Sequence, residues 1–309
     1  MKKIIYLLAG LLSIAVISFI GVHFIAPYAI LKPPKVNDHI FAKQFNPNLE
    51  SLNISTGDGI KLSAYWMIPN NPPRGSIILL HGIGGCKEHF LGVANKLRRQ
   101  DIASIVFDSR AHGQSGGQFC TYGAKEKQDV SVIVDLIKAR YPNTPIGIWG
   151  NSMGGAVAIQ AMAIDKRISF GVIESTFTSL AKIGFDYQKR LSKISSRRLF
   201  NYVLKRVEKI ANFNPATVRP IEAVKHIDQP MLIAHGDADK NIHFEYGQAL
   251  FNALAATDKE FVPVPNGGHT GLFITGGKEY ENKLFNFIDR QLSTPIESIP
   301  NQVNNSRLH

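Results

Sequence analysis

Six short apolar runs, spaced along the chain and separated by helix-like segments, restrict this sequence more than any other feature. They are Ser76–Leu80, Ile102–Asp108, Pro145–Trp149, Ile168–Glu174, Met231–His235 and Glu260–Val264. A short run that is apolar throughout suits a strand covered on both faces, which is the condition inside a parallel sheet. Helical segments fall between and after them at Lys87–Arg99, Lys125–Arg140, Ser152–Ile164, Phe244–Ala256 and Lys278–Gln291. That alternation predicts an α/β fold with a mostly parallel, doubly wound sheet. Ahead of it, Ser51–Ser55 and Ile60–Ile68 flank a Thr56-Gly57-Asp58-Gly59 turn and predict a β-hairpin.

The segment Phe177–Pro230 carries no strand-like run. It reads as helical and rich in basic residues, and an insertion of that length between two strands predicts a lid over about 177–230. Of its residues 177–220, ten are basic and two acidic, an excess of eight within a chain whose net charge is +11. Two readings stay open for that charge: a solvated face, or contact with anionic lipid or an anionic substrate. Nucleic acid is not expected as a partner, because no recognition motif accompanies the charge.

The N-terminus begins Met1-Lys2-Lys3 and continues apolar from Ile4 to Ile30. This is longer than the apolar core of a cleaved signal and long enough to span a bilayer. Residues 1–31 are therefore expected to be a signal-anchor, with a cleaved signal or a buried helix as alternatives. Lys2 and Lys3 favour a cytoplasmic N-terminus. The main domain is then expected outside the cytoplasm, in the periplasm of a Gram-negative cell, or secreted if the segment is cleaved. A linker is expected over 32–49, the main domain over 50–292 and a polar tail over 293–309. Because the apolar run supplies no strand, a chain beginning near Lys35 is expected to stay folded and active.

Gly150-Asn151-Ser152-Met153-Gly154 matches G-x-S-x-G between a predicted strand and a predicted helix. That setting suits a nucleophile elbow with Ser152 at its tip. A serine nucleophile needs a base, and the base needs an orienting acid. Met231–His235 is followed by Asp237 and Asp239, and Phe261–Val264 by Gly267-Gly268-His269, so acid and histidine follow the serine in the expected order. His81-Gly82-Ile83-Gly84-Gly85 follows the first apolar run and suits a loop that donates amides to a developing negative charge. The Met153 amide, next to the nucleophile, is the other expected donor. No G-K-[ST] follows the loop, so phosphate binding is not expected.

These motifs resemble the alpha/beta-hydrolase superfamily over roughly residues 50–290, close to membrane-anchored bacterial members of the monoacylglycerol-lipase and serine-aminopeptidase-like branch. The resemblance implies an alpha/beta-hydrolase fold with an N-terminal hairpin and a small helical lid. It places the acid at Asp239, within His235-Gly236-Asp237-Ala238-Asp239, leaving Asp237 as a turn residue. It points to Ile83 as the loop's oxyanion donor. Asp108-Ser109-Arg110-Ala111-His112-Gly113-Gln114-Ser115 resembles the family's D-x-R-G-H-G-x-S segment, with Ala111 where glycine is usual, and implies a structural His112. The lid is shorter than in many lipases, which argues against a large acyl-binding tunnel. The expected reaction is hydrolysis of a small-molecule carboxylic ester or acyl substrate through an acyl-enzyme, with no cofactor and no metal. A peptidase or amidase with the same triad, and a membrane-tethered scaffold, are the alternatives. Cys86 and Cys120 fall in loops after neighbouring strands, where a disulfide or two free thiols are both open.

Overall fold

The structure is a computed structural model of the protein that describes residues 1–36 and 49–293. Its frame is one sheet of eight strands: β1 (Glu50–Ser55), β2 (Lys61–Met67), β3 (Gly75–Leu80), β4 (Ile102–Phe107), β5 (Ile146–Asn151), β6 (Ile168–Glu174), β7 (Met231–Gly236) and β8 (Lys259–Val264). They lie side by side in the order β1-β2-β4-β3-β5-β6-β7-β8. β2 is antiparallel to both β1 and β4, and β3 to β8 run parallel. The predicted hairpin and all six predicted apolar strands form.

Every residue of β3 and β4 is buried, as expected of strands covered on both faces. The strand period of two divides their side chains between two cores. Ile78 and Leu80 face Ile133, Val134 and Ile137 of α4 (Glu126–Arg140) and Val157 and Ile159 of α5 (Met153–Ile164). Ile77 and Leu79 face the other layer, with Leu91 and Leu97 of α3 (Leu91–Arg98) and Leu284 and Phe287 of α10 (Leu272–Ser293). The predicted helix at 278–291 is thus the longer part of α10, which breaks at Gly277, where φ is +55°.

The connection from β6 to β7 is helical, as expected of the lid. It contains α6 (Leu180–Ser192), α7 (Arg197–Ala211) and the short α8 (Pro220–Ala223). The hydroxyls of Ser179 and Ser196 cap α6 and α7, accepting from the amides of Lys182 and Leu199. α7 buries Phe200, Val203, Val207 and Ala211 at helical spacing and turns Arg198, Lys205 and Lys209 outward. α9 (Phe244–Ala253) follows β7.

At the N-terminus α1 (Lys2–Ile20) runs through a π-helical turn at Gly21–Ile25 into α2 (Ala26–Leu31). Together they form the one helix among the described residues that is long and apolar enough to cross a membrane. Of the predicted linker, residues 37–48 lie outside the described residues, as does the tail from 294 onward.

The side on which successive strands are added switches between β3 and β5. The chain steps from β3 outward to β4 on one side, then returns to β5 on the other. Ligands in open α/β sheets bind in the crevice at the carboxyl ends of such a pair. The His81–Gly85 loop leaves β3 there, and Ser152 leaves β5.

A buried ionic lock ties the loop after β3 to the loop after β4. The Asp108 carboxylate accepts from the Lys87 amide at 2.7 Å, the Lys87 ammonium at 2.9 Å and the Gln114 amide at 2.9 Å. The Lys87 and Asp108 side chains are both out of contact with solvent. Removing one partner of a buried pair strands the other charge. Lys87→Met is therefore expected to cost about 3–5 kcal/mol, read from urea denaturation of the full chain. A loss under about 1 kcal/mol would show that the lock contributes little to stability.

Candidate active site

Ser152 sits at φ +55°, ψ −118°, a left-handed backbone that serine adopts at a cost. Neighbouring contacts hold it there. Its amide donates to the Glu174 carbonyl at 2.8 Å, and its carbonyl accepts from the Thr176 hydroxyl at 2.6 Å. The elbow also needs its glycines. A Cβ on Gly150 would lie 2.3 Å from the Gly154 carbonyl oxygen, and one on Gly154 would lie 2.2 Å from that of Leu80. The turn is thus pressed against both its own helix and β3, closer than any side chain permits.

His269 reaches Ser152 from the loop after β8. Its Nε2 lies 3.0 Å from Ser152 Oγ, and its Nδ1 lies 2.8 Å from Asp239 Oδ2. The carboxylate can only accept, so Nδ1 carries the proton and Nε2 is left to accept from the serine. Asp239 follows β7 and is buried. Its Oδ1 accepts from the Asn241 and Ile242 amides at 2.8 and 2.9 Å. Burial pushes the Asp239 carboxyl up, but hydrogen bonds from His235, His269 and the Ile242 amide outweigh it and hold the group well below the usual carboxylate range. Asp237, two residues earlier, points elsewhere and accepts from the Asn266 amide at 2.6 Å.

His235, at the end of β7, also contacts the acid. Its Nε2–H donates to the Ile242 carbonyl at 2.8 Å and lies 3.4 Å from Asp239 Oδ2. It thereby braces the same short loop that holds the acid.

The His81–Gly85 loop passes directly over the elbow: a Cβ on Gly82 would stand 3.2 Å from Ser152 Cβ. His81 anchors the loop, with Nδ1–H donating to the Gly82 carbonyl at 2.8 Å and Nε2 accepting from the Ser109 amide at 3.0 Å. Burial and the neighbouring His112 push the His81 imidazole down to about 4, so the ring is neutral at pH 7. Met153 opens α5, where first-turn amides have no partner within the helix. Ile83 and Met153 border the same cavity as Ser152.

His112 is buried, with Nδ1 3.0 Å from the Arg110 carbonyl and its ring edge-on to His81. Ala111, standing where the related pattern has glycine, adopts φ +65°. That left-handed backbone is the physical reason a glycine suits the position. Cys86 and Cys120 are both buried and are not joined in a disulfide, and Cys120 Sγ lies 3.3 Å from Met153 Sδ.

Residues 71–212 match the family model for serine aminopeptidase, S33. The chain is 25% identical to the uncharacterized protein YqkD of Bacillus subtilis, over 94% of this chain and 98% of the relative. It is 24% identical to the monoglyceride lipase of Rattus norvegicus, over 67% of each. Among solved structures, an esterase of Pyrococcus furiosus superposes with a TM-score of 0.70 at 26% identity, covering 84% of this chain and 98% of that one. The chain has the alpha/beta-hydrolase fold and is similar to these hydrolases. Its site is of the serine-hydrolase type.

The hydrolase's lid borders the site. A cavity of about 380 Å³ opens beside Ser152 and Met153, within the range of small-ligand sites. Its walls are largely apolar, from Phe177, Leu180 and Ile183 on one side to Phe200, Val203 and Ile242. Residues of α6 and α7 thus share the walls of the cavity with the elbow.

The hydrolase's N-terminal helix is also less separate than the sequence implied. Leu31 is buried in the lid's core with Phe177, Leu180 and Val207. The Leu31 carbonyl accepts from the Cys120 amide at 2.9 Å, and the Ile30 carbonyl from the Tyr122 hydroxyl at 2.7 Å. His23 and Tyr202 of α7 are hydrogen-bonded. No periodicity in Ile4–Ile30 announces these contacts, because an apolar face reads alike against lipid and against protein.

Proposed function

We propose that this hydrolase cleaves carboxylic esters of apolar acyl groups through an acyl-enzyme. The observation that carries the reading is the unbroken relay from Ser152 Oγ through His269 to Asp239, opening onto an apolar cavity. Ser152 Oγ attacks the ester carbonyl as His269 Nε2 takes its proton, and Asp239 holds the imidazole and stabilises its positive charge. The amides of Ile83 and Met153 receive the developing oxyanion. The tetrahedral species collapses, the C–O bond breaks, and the alcohol leaves with the proton from His269. Water then repeats the cycle on the acyl-enzyme and releases the acid.

An aminopeptidase would need a carboxylate or similar acceptor for the substrate's α-ammonium group. The described residues lining the cavity include no Asp or Glu, which favours the ester reading over the peptidase one.

The protein is held at a membrane by its N-terminal helix, with Lys2 and Lys3 on the cytoplasmic side and the catalytic domain on the other. Lys189, Lys193, Arg198, Lys205 and Lys209 are exposed on the lid and face anionic headgroups in this arrangement.

The test is a series of p-nitrophenyl esters from acetate to palmitate, run beside aminoacyl p-nitroanilides, on the full chain. Ester turnover with labelling of Ser152 by a fluorophosphonate is the expected result. Faster anilide turnover would move the assignment to the peptidase reading, and absence of both turnover and labelling would favour a scaffold.

A further inference from the structure

The cavity beside Ser152 is bounded not by the catalytic domain alone. Ala26, Ala29 and Ile30, three residues on one face of α2, line it too. Ala29 is exposed, as are two other residues that line the cavity, Ile83 at 41% and Leu191 at 75%. The cavity thus has an exposed apolar wall, part of which is the continuation of the candidate membrane helix.

Length places that wall. A 30-residue helix is about 45 Å long. The hydrocarbon core takes about 20 residues of it, so its last turns reach the headgroup layer. Ala26 and Ala29 lie in those last turns. Resting on the membrane reading above, we propose that α2 is the membrane-side wall of the acyl-binding cavity, and that the substrate is a bilayer-borne lipid ester whose chain slides in along Ala26 and Ala29. A water-sized group occupies about 30 Å³, so about 380 Å³ admits roughly a dozen methylene-sized groups, one medium to long chain.

Narrowing this wall changes chain-length preference more than it changes chemistry. The full chain, reconstituted in phosphatidylcholine nanodiscs, is assayed with p-nitrophenyl acetate and laurate. Ala26→Trp and Ala29→Trp are each expected to lower the laurate-to-acetate ratio of kcat/KM at least tenfold. Leu8→Trp, on the bilayer-facing part of α1, is expected to keep the wild-type ratio. A ratio within twofold of wild type in both wall variants overturns the proposal.

A second measurement does not depend on turnover. Ala29→Cys supplies an exposed thiol, while Cys86 and Cys120 are buried. Loading Ser152 with a dodecyl fluorophosphonate is expected to slow maleimide labelling at position 29 at least fivefold relative to an ethyl fluorophosphonate. Equal rates overturn the proposal even if the tryptophan variants fold poorly. If wild type neither turns over esters nor takes up either fluorophosphonate, the ester reading itself has failed. That outcome is distinct from normal loading without protection.

Discussion

Ser152→Ala is expected to lower kcat for p-nitrophenyl esters by about a million-fold, with little change in the urea midpoint. The size follows from how the relay works. His269 has no proton to take and no nucleophile to activate once Oγ is gone, so residues acting as a unit fail together. What survives is the catalysis that oxyanion donors and substrate binding supply alone, about a thousandfold over water. Stability is expected to hold because the elbow is secured by the Ser152 backbone, through Glu174 and Thr176, and by glycine contacts. Steady-state kinetics and fluorophosphonate labelling check it. A variant within tenfold of wild type would remove Ser152 from the chemistry.

Asp239→Asn is expected to lower kcat by about four orders of magnitude, whereas Asp237→Asn is expected to stay within a few-fold of wild type. An asparagine amide can turn its NH₂ towards Nδ1, which stabilises the tautomer with the proton on Nε2 and blocks proton transfer from the serine. Asp237 serves only the Asn266 amide. The reverse ranking would move the orienting acid to Asp237. The two variants also differ in acid. The folded Asp239 carboxyl is held below its unfolded value of about 3.9, so its contribution to stability is complete above that value. It is lost as pH falls towards the depressed folded value. Asp239→Asn lacks that acid limb, and urea midpoints measured at pH 7 and pH 3 report the difference.

The sheet was legible in the sequence, and so were the residues proposed for the site, because both are written in local terms. Apolar runs such as Ile77–Leu80 can be buried on two faces only within a layered α/β sheet. Gly150, Ser152 and Gly154 mark an elbow because backbone crowding there excludes side chains. Asp239 and His269 stood out because each follows a strand in the right order, and their distances of 2.8 and 3.0 Å along the relay agree with that placement. Hairpin and lid were legible for the same reason, whereas the choice of Asp239 over Asp237 came from the resemblance to the superfamily, since both follow the same strand.

Tertiary structure alone decided what distant segments do to one another. The order β4-β3-β5 brings the His81 loop over Ser152, although 71 positions separate His81 from the serine. Lys87 and Asp108 form a buried lock because neighbouring strands end side by side, and neither residue's local sequence names its partner. The cavity is lined by residues of α2, α5, α6 and α7, segments far apart in the chain, so no local pattern announces it. The end of the N-terminal helix is the sharpest case. Composition marks Ile4–Ile30 as apolar, and burial in lipid and burial in protein reward the same side chains. Only the fold shows Leu31 inside the lid's core and Ala26 and Ala29 lining the cavity beside Ser152.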